Sequence, residues 1–140
     1  MSPKIVRIVV WLATTALAIL MLAAGGPKLG GDAALKEVFI EFGWPDPIYF
    51  LTGLAEVLAG IGLLVRQIRV AACGLIAFIM AGAAVTNIVT GAPELVSFNL
   101  ILILTSGALA WHFANLEGMT IKEALLSTGS LKAPAASDEH

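Results

Sequence analysis

The chain has 140 residues, of which 59% are hydrophobic and 13% charged, with a formal net charge of -2. A soluble domain carries about 45–50% apolar and about 25% charged residues, so this composition excludes a water-soluble globule and points to a one-domain integral membrane protein. The weak net charge, with no basic patch, gives no electrostatic footprint for nucleic acid.

Residues 5–26 form the first apolar run, and about 20 residues suffice to span a bilayer. Lys4 and Arg7 lie at its start, and Leu22-Ala23-Ala24-Gly25 imitates a leader-peptide cleavage site. The run exceeds the roughly 7–15 apolar residues of a leader, so it reads as a retained span. Gly26-Pro27-Lys28-Leu29-Gly30-Gly31 follows; proline and glycines together predict that the helix breaks there.

Residues 32–42 read as a short amphipathic helix. Asp32 suits its N-cap, Leu35, Val38, Phe39 and Phe42 recur at helical spacing, and Lys36, Glu37 and Glu41 mark the other side. Phe42-Gly43-Trp44-Pro45-Asp46-Pro47 turns the chain, with Trp44 and Tyr49 placed for an interfacial aromatic belt. The second span covers residues 47–65. After the basic turn Arg66-Gln67-Ile68-Arg69, the third covers 70–89, with Gly74, Ala77, Ala81 and Gly82 as a small face suited to close packing. The fourth covers about 95–113, with Trp111 as a further anchor. The predicted fold is thus an all-α, four-transmembrane-helix bundle with a short amphipathic helix between spans 1 and 2. Residues 1–115 make the membrane domain and 116–140 a short, partly flexible cytoplasmic segment. Within that segment Thr120-Ile121-Lys122-Glu123 resembles a capping box that starts a surface helix.

Glu56 is the informative residue. It sits near the middle of the second span, where an acid costs about 2.5–3.5 kcal/mol on insertion scales. Gly53 and Gly60 share its face, so that face is expected to meet another helix rather than lipid. Lys28, at the end of the first span, is the nearest cation that can reach it. With Pro47 at the membrane surface, Glu56 lies about 13 Å deep. Tyr49, Thr52, Thr86, Asn87 and Asn99 fall in the same half, with Ser106 deeper on the face of Asn99. Their convergence would make a polar cavity opening outwards. The alternative is that the small polar groups serve as hydrogen-bonding glue between helices. Glu56 then either forms a structural pair with Lys28 or handles a ligand or proton.

Lone Cys73 allows no internal disulfide, and the two histidines, His112 and His140, give neither a metal cluster nor a paired haem ligation, so no metal site is expected. Lys4, Arg7, Arg66, Arg69, Lys122 and Lys132 fall on one side of a four-span topology, against Lys28 and Lys36 on the other. By the positive-inside rule both termini are expected in the cytoplasm.

The runs Gly26-Pro27-Lys28-Leu29, Phe42-Gly43-Trp44-Pro45 and Leu51-Thr52-Gly53-Leu54-Ala55-Glu56-Val57-Leu58-Ala59-Gly60 resemble those of DoxX-like membrane proteins. The likeness continues through Leu63-Leu64, Arg69-Val70-Ala71-Ala72 and Met80-Ala81-Gly82-Ala83 and covers roughly residues 5–113. It implies a four-helix bundle in a bacterial inner membrane, with Lys28 and Glu56 at the family's characteristic positions. Some relatives are linked to quinone-coupled oxidation of sulfur compounds, others associate with redox-defence enzymes, and animal relatives assist receptor assembly. Many carry a histidine after the threonine near the end of the third span; here Asn87 follows Thr86, which weakens any mechanism that needs an imidazole.

Three functions fit. The first is an accessory membrane subunit of a redox system, with quinone as the possible cofactor, a redox protein as partner and electrons supplied from outside the chain. The second is a non-enzymatic assembly or interaction factor, alone or as a homo-oligomer. The third is a proton-coupled transporter of a small amphiphile. No catalytic residue is assigned.

Overall fold

The computed structural model describes residues 2–130, and among them every regular element is helical. Four long helices, α1 (Pro3–Leu29), α3 (Asp46–Leu64), α4 (Arg69–Val89) and α5 (Val96–Ser130), are joined by a short α2 (Ala33–Glu41) and by single 3-10 turns before α4 and α5. Each of the four contains a segment long and apolar enough to cross a membrane, as expected of a multi-pass membrane protein.

α1 does not break at Gly26-Pro27, as the sequence suggested, but runs through Pro27 to Leu29. Pro27 has no amide to donate to the Ala23 carbonyl four residues back, but only Lys28 and Leu29 follow it in α1, so the lost bond ends the helix within a turn rather than breaking it at once. The helix then closes through Gly31, whose positive φ of 76° lets Gly31 N donate to Lys28 O at 3.2 Å and Asp32 N to Pro27 O at 3.0 Å. This paired closure satisfies carbonyls that would otherwise be orphaned. The extra turn keeps Lys28 on the helical face that meets α3. Asp32 then caps α2, accepting from Leu35 N at 3.0 Å.

The helices pack as two pairs joined through α3 and α4. α1 lies antiparallel on α3 at backbone range. A Cβ on Gly25 would stand 2.6 Å from Gly53 O, and one on Gly60 3.0 Å from Ala18 O. α4 packs along α5, whereas α1 and α5 barely touch. Leu17, Met21, Leu63, Ile76, Leu102 and Phe113 anchor the shared core. Outward, large apolar side chains such as Phe78, Leu104 and Trp111 stay exposed, the expected surface for lipid rather than water.

Two further expectations are corrected. In α4 the buried face is Ala72, Cys73, Ile76, Met80 and Ala84, while Gly74 and Gly82 face open space. The two glycines therefore mark no close helix contact within the described residues, and of the four small residues only Ala77 is half-buried. The capping box at Thr120–Glu123 starts no new helix, because α5 continues unbroken to Ser130. An uninterrupted helical backbone needs no cap there, and Gly118 between good helix formers does not end it. The stretch from Ser127 onward, expected to be flexible, continues α5 as far as Ser130, and residues 131–140 lie outside the described residues.

Candidate functional site

Lys28 and Glu56 meet between α1 and α3. Lys28 Nζ donates to both carboxylate oxygens, at 2.6 Å to Oε1 and 2.7 Å to Oε2. The side chains are only 12% and 4% exposed, respectively. Such burial is tolerable because each charge supplies the counter-ion and hydrogen bonds that the other loses with its water. Glycine makes the geometry possible. A Cβ on Gly53 would stand 2.6 Å from the Lys28 Cβ, and one on Gly25 would stand 2.9 Å from the Glu56 Cβ. Any larger residue would push α1 off α3 and lengthen the pair. The Lys28 ammonium also lies 5.7 Å from the centroid of the Phe39 ring, contributed by α2.

The pair forms part of the lining of a groove of about 790 Å³ that opens between α3 and α4 beneath α2. Its walls are apolar and rich in rings: Phe39, Phe42, Trp44 and Phe78, with Leu51 and Ile79. Of the residues singled out in the sequence, Lys28, Thr52, Glu56, Thr86 and Asn87 line it together. Thr52 and Thr86 each donate to a carbonyl one turn back, Ile48 O at 2.7 Å and Gly82 O at 3.0 Å. Their hydroxyl oxygens keep accepting capacity toward the groove.

Tyr49 and Asn99 are placed elsewhere. Tyr49 is fully buried, not a belt residue, with its hydroxyl donating to Asp32 O at 2.9 Å and its ring edge-on to Phe39 at 5.3 Å. It fastens the start of α2 to α3 and so holds the roof of the groove. Lys36 adds a second tie, 2.7 Å from Asp46 Oδ2. Trp44, by contrast, remains exposed enough for an interface. Asn99 is buried on α5 with its Nδ2 unpartnered, and Ser106 donates to Ile103 O at 3.0 Å on its own helix. Neither lines the groove.

The aromatic walls escaped the sequence reading as parts of a site. Phe39 and Phe42 carried a signal, their spacing on one face of α2. Phe78 carried none, because an apolar residue in an apolar span announces no neighbour. Chemically, the floor offers an ammonium with three donors, two of them used, and a carboxylate with lone pairs to spare. It can hold a flat, apolar molecule that ends in carbonyl or hydroxyl oxygens. Among the described residues no cluster of His, Cys, Asp and Glu suits a metal ion.

In comparison with known proteins, a family model described as the DoxX-like family matches residues 12–114. No curated protein and no solved structure is matched.

Proposed function

The chain belongs to the DoxX-like family, and from that premise we propose that it is a small accessory membrane subunit of a redox system that holds a quinone headgroup above the Lys28–Glu56 pair. One observation carries the reading: a buried, bidentate ion pair at the floor of a ring-lined groove within the apolar bundle. An ion pair used only to join two helices has no need of a groove beside it.

The residues present fit such a group. Lys28 has a donor left for a carbonyl oxygen, and Glu56 can accept from the hydroxyl of the reduced form. Phe39, Phe42, Trp44 and Phe78 offer ring faces and edges, and the lateral opening between α3 and α4 leaves room for an apolar tail. When bound, a quinone would supply a two-electron, two-proton carrier within the bilayer. In this reading the chain orients the headgroup, keeps water away and passes a proton through Glu56, and a partner protein supplies the electrons. The placement of Lys and Arg supports an orientation with both termini cytoplasmic, and the family likeness is what favours a bacterial inner membrane. The groove would then open toward the outer leaflet.

A second reading, an assembly or interaction factor without ligand, is favoured by the closure of the pair: both Glu56 oxygens already hold Lys28. The test separates the two. The protein is extracted from native membranes in a mild medium, and wild type and Glu56→Gln are compared by mass spectrometry for bound lipids and proteins. The redox reading predicts quinone on the wild type and its loss from the variant. An unchanged protein partner with no quinone on either form would establish the assembly reading instead.

A further inference from the structure

A second groove, of about 810 Å³, opens at the opposite end of the bundle between α1 and α5, the two long helices that scarcely touch. Its character is different. Arg7 of α1, Arg69 at the start of α4 and His112 of α5 line it, and no carboxylate is among its lining residues. Neither Arg7 nor His112 has an ion pair among the described residues, where the salt bridges are Lys28–Glu56 and Lys36–Asp46. Arg69 is held in place from one side only: its Nε donates to Leu63 O at 2.9 Å and its guanidinium lies 5.3 Å from the centroid of the Phe113 ring. Its terminal nitrogens are not used by those contacts. Farther into the bundle the groove turns apolar, with Val10, Leu64 and Phe113 on its sides and Trp11 at its exposed rim. Two threonines, Thr14 and Thr15, also line it, and the Thr14 hydroxyl donates to Val10 O at 2.7 Å.

We propose that this groove is a binding site for an anionic phospholipid, with the phosphate headgroup between Arg7 and Arg69 and one acyl chain along the gap between α1 and α5. Charge complementarity selects the occupant. Planar guanidinium groups match the oxygens of a phosphate bidentately, and two of them facing an apolar cleft near a membrane surface suit a ligand that is anionic at one end and hydrocarbon at the other. A free phosphate would use the arginines but leave the apolar length of the groove unfilled. A neutral phospholipid would fill it but leave the two cations without a counter-charge. The site is separate from the Lys28–Glu56 groove and does not depend on the function proposed for it.

The full chain is placed in nanodiscs of equimolar phosphatidylglycerol and phosphatidylcholine, then released into detergent, and the retained lipid is measured by native mass spectrometry. The expected result is retention of phosphatidylglycerol over phosphatidylcholine by about fivefold or more. Arg7→Gln should abolish that preference and Arg7→Lys should keep part of it. Arg7 is exposed and its side chain makes no hydrogen bond or ion pair among the described residues, so these variants remain interpretable even if Arg69→Gln does not fold. Arg66→Gln, a basic residue of the same turn that does not line the groove, should leave the preference unchanged. Equal retention of both lipids by the wild type would overturn the proposal. So would an equal loss in Arg66→Gln and Arg7→Gln, which would mean a diffuse surface attraction. Displacement of the retained lipid by inorganic phosphate would overturn the lipid assignment in favour of a free anion.

Discussion

The α1–α3 and α4–α5 pairs are built from the same kind of sequence and held by different means. Both are apolar helices carrying spaced glycines. In α1–α3 those glycines are the contact: Gly25, Gly53 and Gly60 bring backbone against backbone, and a buried ion pair closes one end. In α4–α5 the glycines at 74, 82 and 107 face open space, and the contact is made by larger side chains such as Ile76, Met80 and Leu109. A glycine therefore marks an interface only when its missing Cβ lies where a partner backbone must pass. The charge pair belongs with the close contact, because a short Gly-lined crossing lets a lysine on one helix reach the carboxylate of the other.

The contrast can be broken first at the charges. Lys28→Met leaves the Glu56 carboxylate buried alone and should lower stability by about 3–5 kcal/mol, read from thermal unfolding in detergent. Lys28→Met combined with Glu56→Leu should recover most of that loss, since an apolar replacement removes both desolvated charges. Failure of the double variant to recover would mean that the helices need the charges themselves. Next in size, Gly53→Ala puts a Cβ 2.6 Å from the Lys28 Cβ and should cost about 1–3 kcal/mol through overpacking. In the other pair, Asn99→Leu removes a buried amide whose Nδ2 has no partner and should raise stability by about 1 kcal/mol. The smallest effect is expected from Gly82→Ala, which meets nothing within 4 Å and should stabilise by about 0.5–1 kcal/mol through helix propensity alone. A destabilising Gly82→Ala in the membrane-embedded protein would show that the open face of α4 is covered there.

The sequence already told much of this, unevenly. Four spans followed from apolar run length, and the face of Glu56 from its two glycines. One charged residue in an apolar helix marks a direction that apolar neighbours cannot. That marker is missing from most of α4. Lipid-facing and bundle-facing positions there are equally apolar, so Gly74 and Gly82 read as a contact with another helix of the bundle, which they do not make among the described residues. Pro27 misled for a different reason: proline costs the bond to the carbonyl four residues back, but the helix still completes its last turn because Gly31 and Asp32 donate to the carbonyls of Lys28 and Pro27. Tyr49 looked like a belt residue because an aromatic near a span end usually is. Its hydroxyl instead has a partner in the chain, Asp32 O, which no local pattern announces. The gathering of Lys28, Thr52, Glu56, Thr86 and Asn87 on one groove followed from depth, whereas Asn99 shared the depth but not the direction.

The central claim is that the Lys28–Glu56 pair receives a quinone headgroup rather than merely joining two helices. Trp44 lines that groove and Trp11 the other, so replacing Trp11 and Trp111 by Phe leaves Trp44 as sole fluorescent reporter. A short-chain quinone should then quench Trp44 saturably, and the Lys28→Met/Glu56→Leu variant, once shown to be folded, should bind at least about tenfold more weakly through the loss of charged hydrogen bonds. Saturable quenching of equal affinity in both, or none in either, would contradict the claim and leave the pair a structural tie.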